Sequence, residues 1–214
     1  MFVNSIKGQN VLFPGDIPRG SVILITGKER ALKSGFVMDM MSNYLAGNNE
    51  QGLYATIEGE SYPGTTLSSV IKKVDRLHVF DYKDIIYEWK NEELDLINVT
   101  ENMINFYRKK YDNLTVFAID SLNTLYQASN QVNLRENIYR FFTMLRDNDL
   151  TSFLIMETQS PDMKSPECSL ADGIIEVGTV RCKKNVNMYI QIKKWTRLII
   201  TGKASYINVA YKKE

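Results

Sequence analysis

The sequence predicts an α/β fold, a mostly parallel sheet flanked by helices and extended by antiparallel strands near the C-terminus. Three observations carry this expectation. Short apolar, β-branched runs without polar interruption recur up to about residue 180, as strands buried on both faces require. Stretches with apolar residues at helical spacing lie between them, which suits crossovers between parallel strands. Beyond Ala171-Asp172-Gly173 the apolar runs follow one another too closely for helices to intervene, the pattern of hairpins.

The elements follow in order. Val22 to Thr26 is a continuous apolar strand that stops at Gly27. Phe36, Val37, Met40, Met41, Tyr44 and Leu45 share one helical face, and Gly47 is placed to end that helix in a left-handed cap. Leu53 to Ile57 is the second strand. Leu67, Val70, Ile71 and Val74 mark a second helix, and Leu77 to Phe80 a third strand leading to Asp81. A longer helix is predicted from Glu92 to Lys110. Leu114 to Ile119 is a strand ending at Asp120, and Leu134, Ile138, Phe141, Phe142 and Leu145 stripe the helix after it. Ser152 to Met156 is another buried strand. Ile174 to Val177, Met188 to Ile192, Leu198 to Ile200 and Tyr206 to Val209 are short strands expected to form antiparallel hairpins on the sheet. No internal repeat, low-complexity stretch or linker interrupts the pattern, so residues 1–214 are expected to form a single domain.

Composition narrows the function classes. With 44% hydrophobic and 24% charged residues, the chain is neither fibrous nor disordered. No apolar run approaches the roughly 20 residues of a membrane span, and Asn4, Lys7 and Gln9 interrupt the segment where a signal peptide would be apolar. A cytoplasmic protein without a membrane span is expected. Cys168 and Cys182 are not in a CxxC pair and His78 is the only histidine, which argues against a zinc site and a histidine-based nucleophile mechanism. His78 sits in an apolar run and reads as a strand residue. The net charge of +1 conceals an asymmetry: residues 181–214 carry nine Lys or Arg against one acid. Such a tail suits a phosphate, a nucleic acid or an acidic protein partner, or is a solvated face of the sheet.

The first strand leads through Gly27-Lys28-Glu29-Arg30-Ala31-Leu32-Lys33-Ser34 into a helix, nearly the spacing of a phosphate-binding loop. In the intact motif, backbone N–H groups wrap a phosphate at a helix N-terminus, the lysine offsets its charge and the hydroxyl binds Mg2+. Gly27, Lys33 and Ser34 are present, whereas Leu32 stands at the second glycine. A left-handed backbone costs a residue other than glycine about 1–2 kcal/mol, so Leu32 is expected to distort or fill the cradle. Asp120 ends a later strand, where its carboxylate is placed to serve a Mg2+ ion beside Ser34. Glu58 and Glu60 follow the second strand, as a group orienting or deprotonating a water would. All these groups fall at the carboxyl ends of strands, where ligands collect in open α/β sheets.

Three segments carry a resemblance: Gly15-Asp16-Ile17-Pro18-Arg19-Gly20-Ser21, Ile119-Asp120-Ser121-Leu122 and Leu170-Ala171-Asp172-Gly173-Ile174. With them the chain, from about residue 10 to its C-terminus, resembles the KaiC-like branch of the RecA-type ATPases, which includes many archaeal RadA paralogues. The resemblance implies a RecA-like three-layer fold that binds ATP and Mg2+ at a subunit interface, in a homo-oligomer or a mixed ring with related subunits. By position it gives Lys33 and Ser34 the phosphate and metal roles, and Asp120 the second metal-site acid. The catalytic acid pair of the family corresponds to Glu58 and Glu60, but Gly59 separates them, which leaves open which of the two inherits the role. The family's Lys-x-Arg, which reaches into the neighbouring subunit's site, corresponds to Lys193-Lys194-Trp195. Lys193 is kept as a trans finger, while Trp195 replaces the arginine unless Arg197 substitutes for it.

Leu32 and Trp195 point the same way. The expected protein has a degenerate nucleotide site and a regulatory or scaffolding role, with ATP binding left open and hydrolysis slow or absent. The alternatives are an active ATPase with a variant loop, or a DNA-binding recombinase accessory protein. The third reading has thin support, since the loops Gln127 to Asn133 and Thr158 to Ser169 carry only Lys164 as a cation.

Overall fold

The computed structural model describes residues 17–57, 75–83, 85, 95–129, 132–158, 160–182, 185–196 and 207–209. Every apolar run of four or more residues among them lies in a strand, because only a sheet covered on both faces can bury side chains that point alternately up and down. The strands are β1 (Val22–Gly27), β2 (Gln51–Thr56), β3 (Leu77–Asp81), β4 (Leu114–Asp120), β5 (Thr151–Glu157), β6 (Gly173–Cys182), β7 (Asn185–Trp195) and β8 (Ile207–Val209). Among the described residues they form one eight-stranded sheet in the order β3-β2-β4-β5-β1-β6-β7-β8. The helices are α1 (Lys33–Ala46), α2 (Leu96–Lys110), α3 (Leu122–Gln127), α4 (Leu134–Asp147) and α5 (Pro166–Leu170).

Alternation along each strand divides the core in two. Ile23, Ile25, Tyr54, Ala118, Phe153 and Ile155 face α1, which packs Phe36, Val37, Met40, Met41, Tyr44 and Leu45 against them. Val22, Leu24, Leu53, Phe117, Ile119 and Leu154 face the other way, onto Ile97 and Ile104 of α2, Leu125 of α3 and Phe141 and Phe142 of α4. Phe117 and Phe141 meet edge to face at 6.5 Å. The result is the three-layer α/β arrangement expected from the sequence.

Several details differ from expectation. Gly47 does end α1, but at φ −93°, in the right-handed region. The Asn48 side chain closes the helix instead, donating to the Tyr44 carbonyl at 2.7 Å. α2 begins at its cap, Asp95, whose carboxylate accepts the Ile97 N–H at 3.1 Å, and its last turn carries Arg108, Lys109 and Lys110, which complement the helix dipole. α3 and α5 were not expected. Both are short, with one turn or little more of apolar signal, and each starts at a serine cap, Ser121 or Ser165. The helix expected over 67–74 and the strand over 198–200 lie outside the described residues.

The expected antiparallel pairing forms between β6 and β7 and between β7 and β8, and β6 has a second neighbour. β6 pairs with β1 in parallel, Ile23 beside Gly173 through Thr26 beside Glu176. The antiparallel extension therefore begins only at β7, which forms one long hairpin with β6, and continues to β8. The chain can enter β6 in the direction of β1 because the segment holding α5 carries it back across the sheet first. Asp172 fixes that entry. Its N–H donates to the Val22 carbonyl at 2.8 Å, its carboxylate accepts the Val22 N–H at 2.9 Å, and Arg146 of α4 pairs with the same oxygen at 3.3 Å.

Glycines admit two large rings to this hairpin. A Cβ at Gly178 would lie 2.2 Å from the Tyr189 ring opposite, and one at Gly173 would lie 2.7 Å from the Trp195 ring. Each aromatic side chain lies across the bare backbone of its partner, which fixes register as cross-strand pairs do. No helix among the described residues is long and apolar enough to cross a membrane.

Candidate functional site

The carboxyl ends of β1, β4 and β5 converge beside the start of α1. Gly27 ends β1 with its Cα hydrogens turned toward β6, where a Cβ would lie 2.1 Å from the Val177 carbonyl oxygen. The loop then turns at Lys28, whose carbonyl accepts the Ala31 N–H at 3.2 Å, and Arg30 and Leu32 both take left-handed backbones with φ 60° and 62°. Leu32 therefore adopts the conformation that glycine takes at low cost, and its side chain is 56% exposed instead of buried in the loop. The Leu32 side chain thus points to solvent, and the leucine carries the torsional cost of a left-handed backbone. Leu32→Gly is expected to stabilise the protein by about 1 kcal/mol, the left-handed strain less the extra chain entropy of glycine. Urea unfolding tests this, and a lower midpoint for the variant would contradict it.

Leu32 is the cap position of α1 and gives no side-chain cap, and no acid stands in the first turn. An uncapped helix start leaves N–H donors available to an anion. Lys33 is the first residue of the helix and is buried. Its side chain is only 4% exposed, and its amine donates to the Lys28 carbonyl at 2.7 Å and pairs with Glu157 Oε1 at 3.3 Å. Ser34 follows, half-buried on the first turn.

Asp120 is buried at the end of β4, on the sheet face that α1 covers, and its Oδ2 accepts the Tyr54 hydroxyl at 2.9 Å. Tyr54 itself is fully buried in β2, so it holds the carboxylate in a fixed direction. The Asp120–Ser121 peptide is cis. α3 then ties back to β5: the Asn123 side chain accepts the Glu157 N–H at 2.8 Å and donates to the Glu157 carbonyl at 3.4 Å. Thr158 completes the frame, donating its N–H to the Gly27 carbonyl at 3.1 Å.

Gly27, Lys33, Ser34 and Asp120 thus lie at the carboxyl-end side of the parallel strands. Glu58 and Glu60 lie outside the described residues. Glu157 is a member of this group that sequence reasoning missed, although it ends β5 after an apolar run just as Asp120 ends β4. The residues present suit a magnesium-bound phosphate chain: a left-handed loop, an uncapped helix start, a buried amine, a hydroxyl and a fixed carboxylate. Among the described residues no group of three His, Cys, Asp or Glu forms a metal cage of its own, so a metal there would depend on ligand oxygens as well.

Lys193 sits on β7 at a bulge, where the register slips between Ile174 and Ile175. The bulge turns Lys193 onto Glu176 of its own chain at 3.0 Å, and Tyr189 donates to the other oxygen of that carboxylate at 2.6 Å. Burial pushes the Glu176 carboxyl up, but the Tyr189 and Lys193 hydrogen bonds outweigh it and hold it below the usual carboxylate range. Lys194 turns to α5, where its amine donates to the Cys168 and Ser169 carbonyls at 2.8 and 3.0 Å. Trp195 packs inward against the core beside Gly173. The other cations of the basic tail lie outside the described side chains. His78 is a half-buried strand residue, as expected, stacked on Tyr111 at 4.3 Å and bonded to Gln51 at 2.9 Å. Burial and then the Lys110 charge push its pKa down.

A parallel sheet in this order, with a lysine-bearing loop after β1 and an acid ending β4, defines a RecA-type P-loop ATPase fold. The family model for the KaiC ATPase matches residues 4–207, and the chain belongs to that family. Among solved structures it is similar to a KaiC-like protein from the hyperthermophilic archaeon Pyrococcus horikoshii OT3, with 18% identity and a TM-score of 0.71. That match covers 96% of this chain and 95% of the other, and it shows the shared fold. A comparison with curated protein sequences found no match.

Proposed function

We propose that this chain binds Mg2+-ATP at the Gly27–Ser34 loop, hydrolyses it slowly, and acts as a regulatory or scaffolding member of its family through assembly with copies of itself or related subunits. The observation that carries the reading is Leu32 in the left-handed region at φ 62°, since the loop keeps the turn a phosphate needs despite the missing glycine. Loop N–H groups and the Lys33 amine would hold the phosphates, and the Ser34 hydroxyl and Asp120 carboxylate would hold Mg2+, which supplies charge neutralisation when bound.

Slow turnover rests on the other end of the sheet. Trp195 is an uncharged ring half-buried against the core, and Lys193 is paired with Glu176, so neither offers a free cation to a neighbouring subunit's phosphates. A trans role for Lys193 would require it to leave Glu176. Acid–base work on water is assigned to Glu58 or Glu60. A nucleic-acid role is less well supported, because Lys193 and Lys194 already bond within the chain.

Calorimetry with Mg2+-ATP, with phosphate release followed on the same samples, tests the reading. Binding is expected for the wild type and is expected to weaken at least about 30-fold in Lys33→Ala, which removes a charge-assisted contact of about 2 kcal/mol or more. Turnover is expected below about 1 per second. Absence of binding by the wild type would reduce the fold to a scaffold, and fast turnover would overturn the regulatory reading.

A further inference from the structure

We infer that Glu157 is an intramolecular competitor for phosphate at the Lys33 amine, so that nucleotide binding at this loop is gated by exchange of one anion for another. The inference rests on the nucleotide-binding reading above and concerns its regulation. Lys33 can donate three hydrogen bonds, and two are directed at the Lys28 carbonyl and the Glu157 carboxylate, at 2.7 and 3.3 Å. A buried lysine needs such a counter-charge, and at 4% side-chain exposure water cannot supply it.

Glu157 is built to occupy this place. Its backbone is clamped on both sides, by Asn123 at its own N–H and carbonyl and by the bond from the next residue, Thr158, to the Gly27 carbonyl. Its side chain is 39% exposed, so it can swing into solvent without opening the core. A phosphate oxygen taking the third N–H of the amine would stand beside the carboxylate already held there, and two negative groups on one amine repel each other. In the exchange the incoming phosphate gives the buried Lys33 amine a counter-charge while the half-exposed Glu157 carboxylate regains water, so the net penalty is that of an exposed pair, a factor of about five in affinity. Removing the carboxylate therefore relieves both competition and repulsion. The exchange therefore raises the apparent dissociation constant for nucleotide about fivefold and moves half-saturation to a correspondingly higher nucleotide concentration.

The test is Mg2+-dependent binding of a fluorescent N-methylanthraniloyl ATP to the wild type, Glu157→Gln and Glu157→Ala. Acetylation of Lys33 by an N-hydroxysuccinimide ester, without nucleotide, is read in parallel by peptide mass spectrometry. Glu157→Gln is expected to tighten binding by about five- to tenfold, and Lys33 in Glu157→Ala is expected to label several-fold faster than in the wild type. Equal or weaker binding by Glu157→Gln would overturn the inference and leave the nucleotide-binding reading standing. Tighter binding with unchanged Lys33 labelling would overturn it as well, reducing Glu157 to a source of general repulsion. No binding by any of the three proteins would overturn both the inference and the reading beneath it.

Discussion

Gly27→Ala is expected to destabilise the protein by about 3 kcal/mol or more, lowering Tm by about 6–12 °C for a chain of this size. The added Cβ would stand 2.1 Å from the Val177 carbonyl oxygen and 3.3 Å from its carbon, with the backbone at φ 157°. Neither side can yield cheaply. β6 is held in place by its ladder to β7, and β1 is held by β5 on its other edge. The contrast with Leu32 is instructive: there the side chain enters solvent and the cost is only torsional, whereas at Gly27 the cost is a collision between two strands. The collision lies at the first residue of the loop, so nucleotide binding should fall together with stability. Scanning calorimetry checks the first effect, and a Tm within 2 °C of the wild type would refute it.

The sheet was readable in the sequence because parallel strands buried on both faces leave little choice of residue. Val22 to Ile25 and Leu114 to Ile119 can hardly be anything else, and the stripes of α1 and α4 likewise follow from one buried face each. What could not be read were features that depend on partners distant in sequence. Nothing local distinguishes a parallel β6 from an antiparallel one; its direction is decided by pairing with β1, about 150 residues earlier. α3 and α5 are too short for a period to emerge. In the candidate site, Gly27, Lys33 and Ser34 were legible because their spacing follows directly from a strand, a turn and a helix start. Asp120 was legible as a polar residue ending an apolar run. Glu157 shows the same signal and belongs to the same group, yet no motif position pointed to it, and its importance lies in a contact with Lys33 across 124 residues.

Asp172→Ala is expected to cost about 3 kcal/mol, and Asp172→Asn about 1 kcal/mol, because the two changes remove different parts of one arrangement. Alanine leaves the Val22 N–H without its acceptor, and Val22 is fully buried, so no water replaces the bond at 2.9 Å. It also strands the Arg146 guanidinium, which reaches Asp172 at 3.3 Å and bonds the Leu170 carbonyl. Asparagine keeps an acceptor for Val22 and loses only the charge, and the Arg146–Asp172 pair is partly exposed, so its charge is worth little. The segment that marks the family resemblance thus has a mechanical role: it sets β6 beside β1 in parallel, and it does so at the end of β1 opposite the phosphate loop. Stability and ligand binding should therefore separate for Asp172, unlike for Gly27. Urea unfolding is expected to show the ranking wild type, Asp172→Asn, Asp172→Ala, while each folded variant keeps wild-type Mg2+-ATP affinity within about threefold, since the sites lie at opposite ends of one strand. A loss of affinity in Asp172→Asn at full folding would mean that β1 transmits strain along its length to the loop.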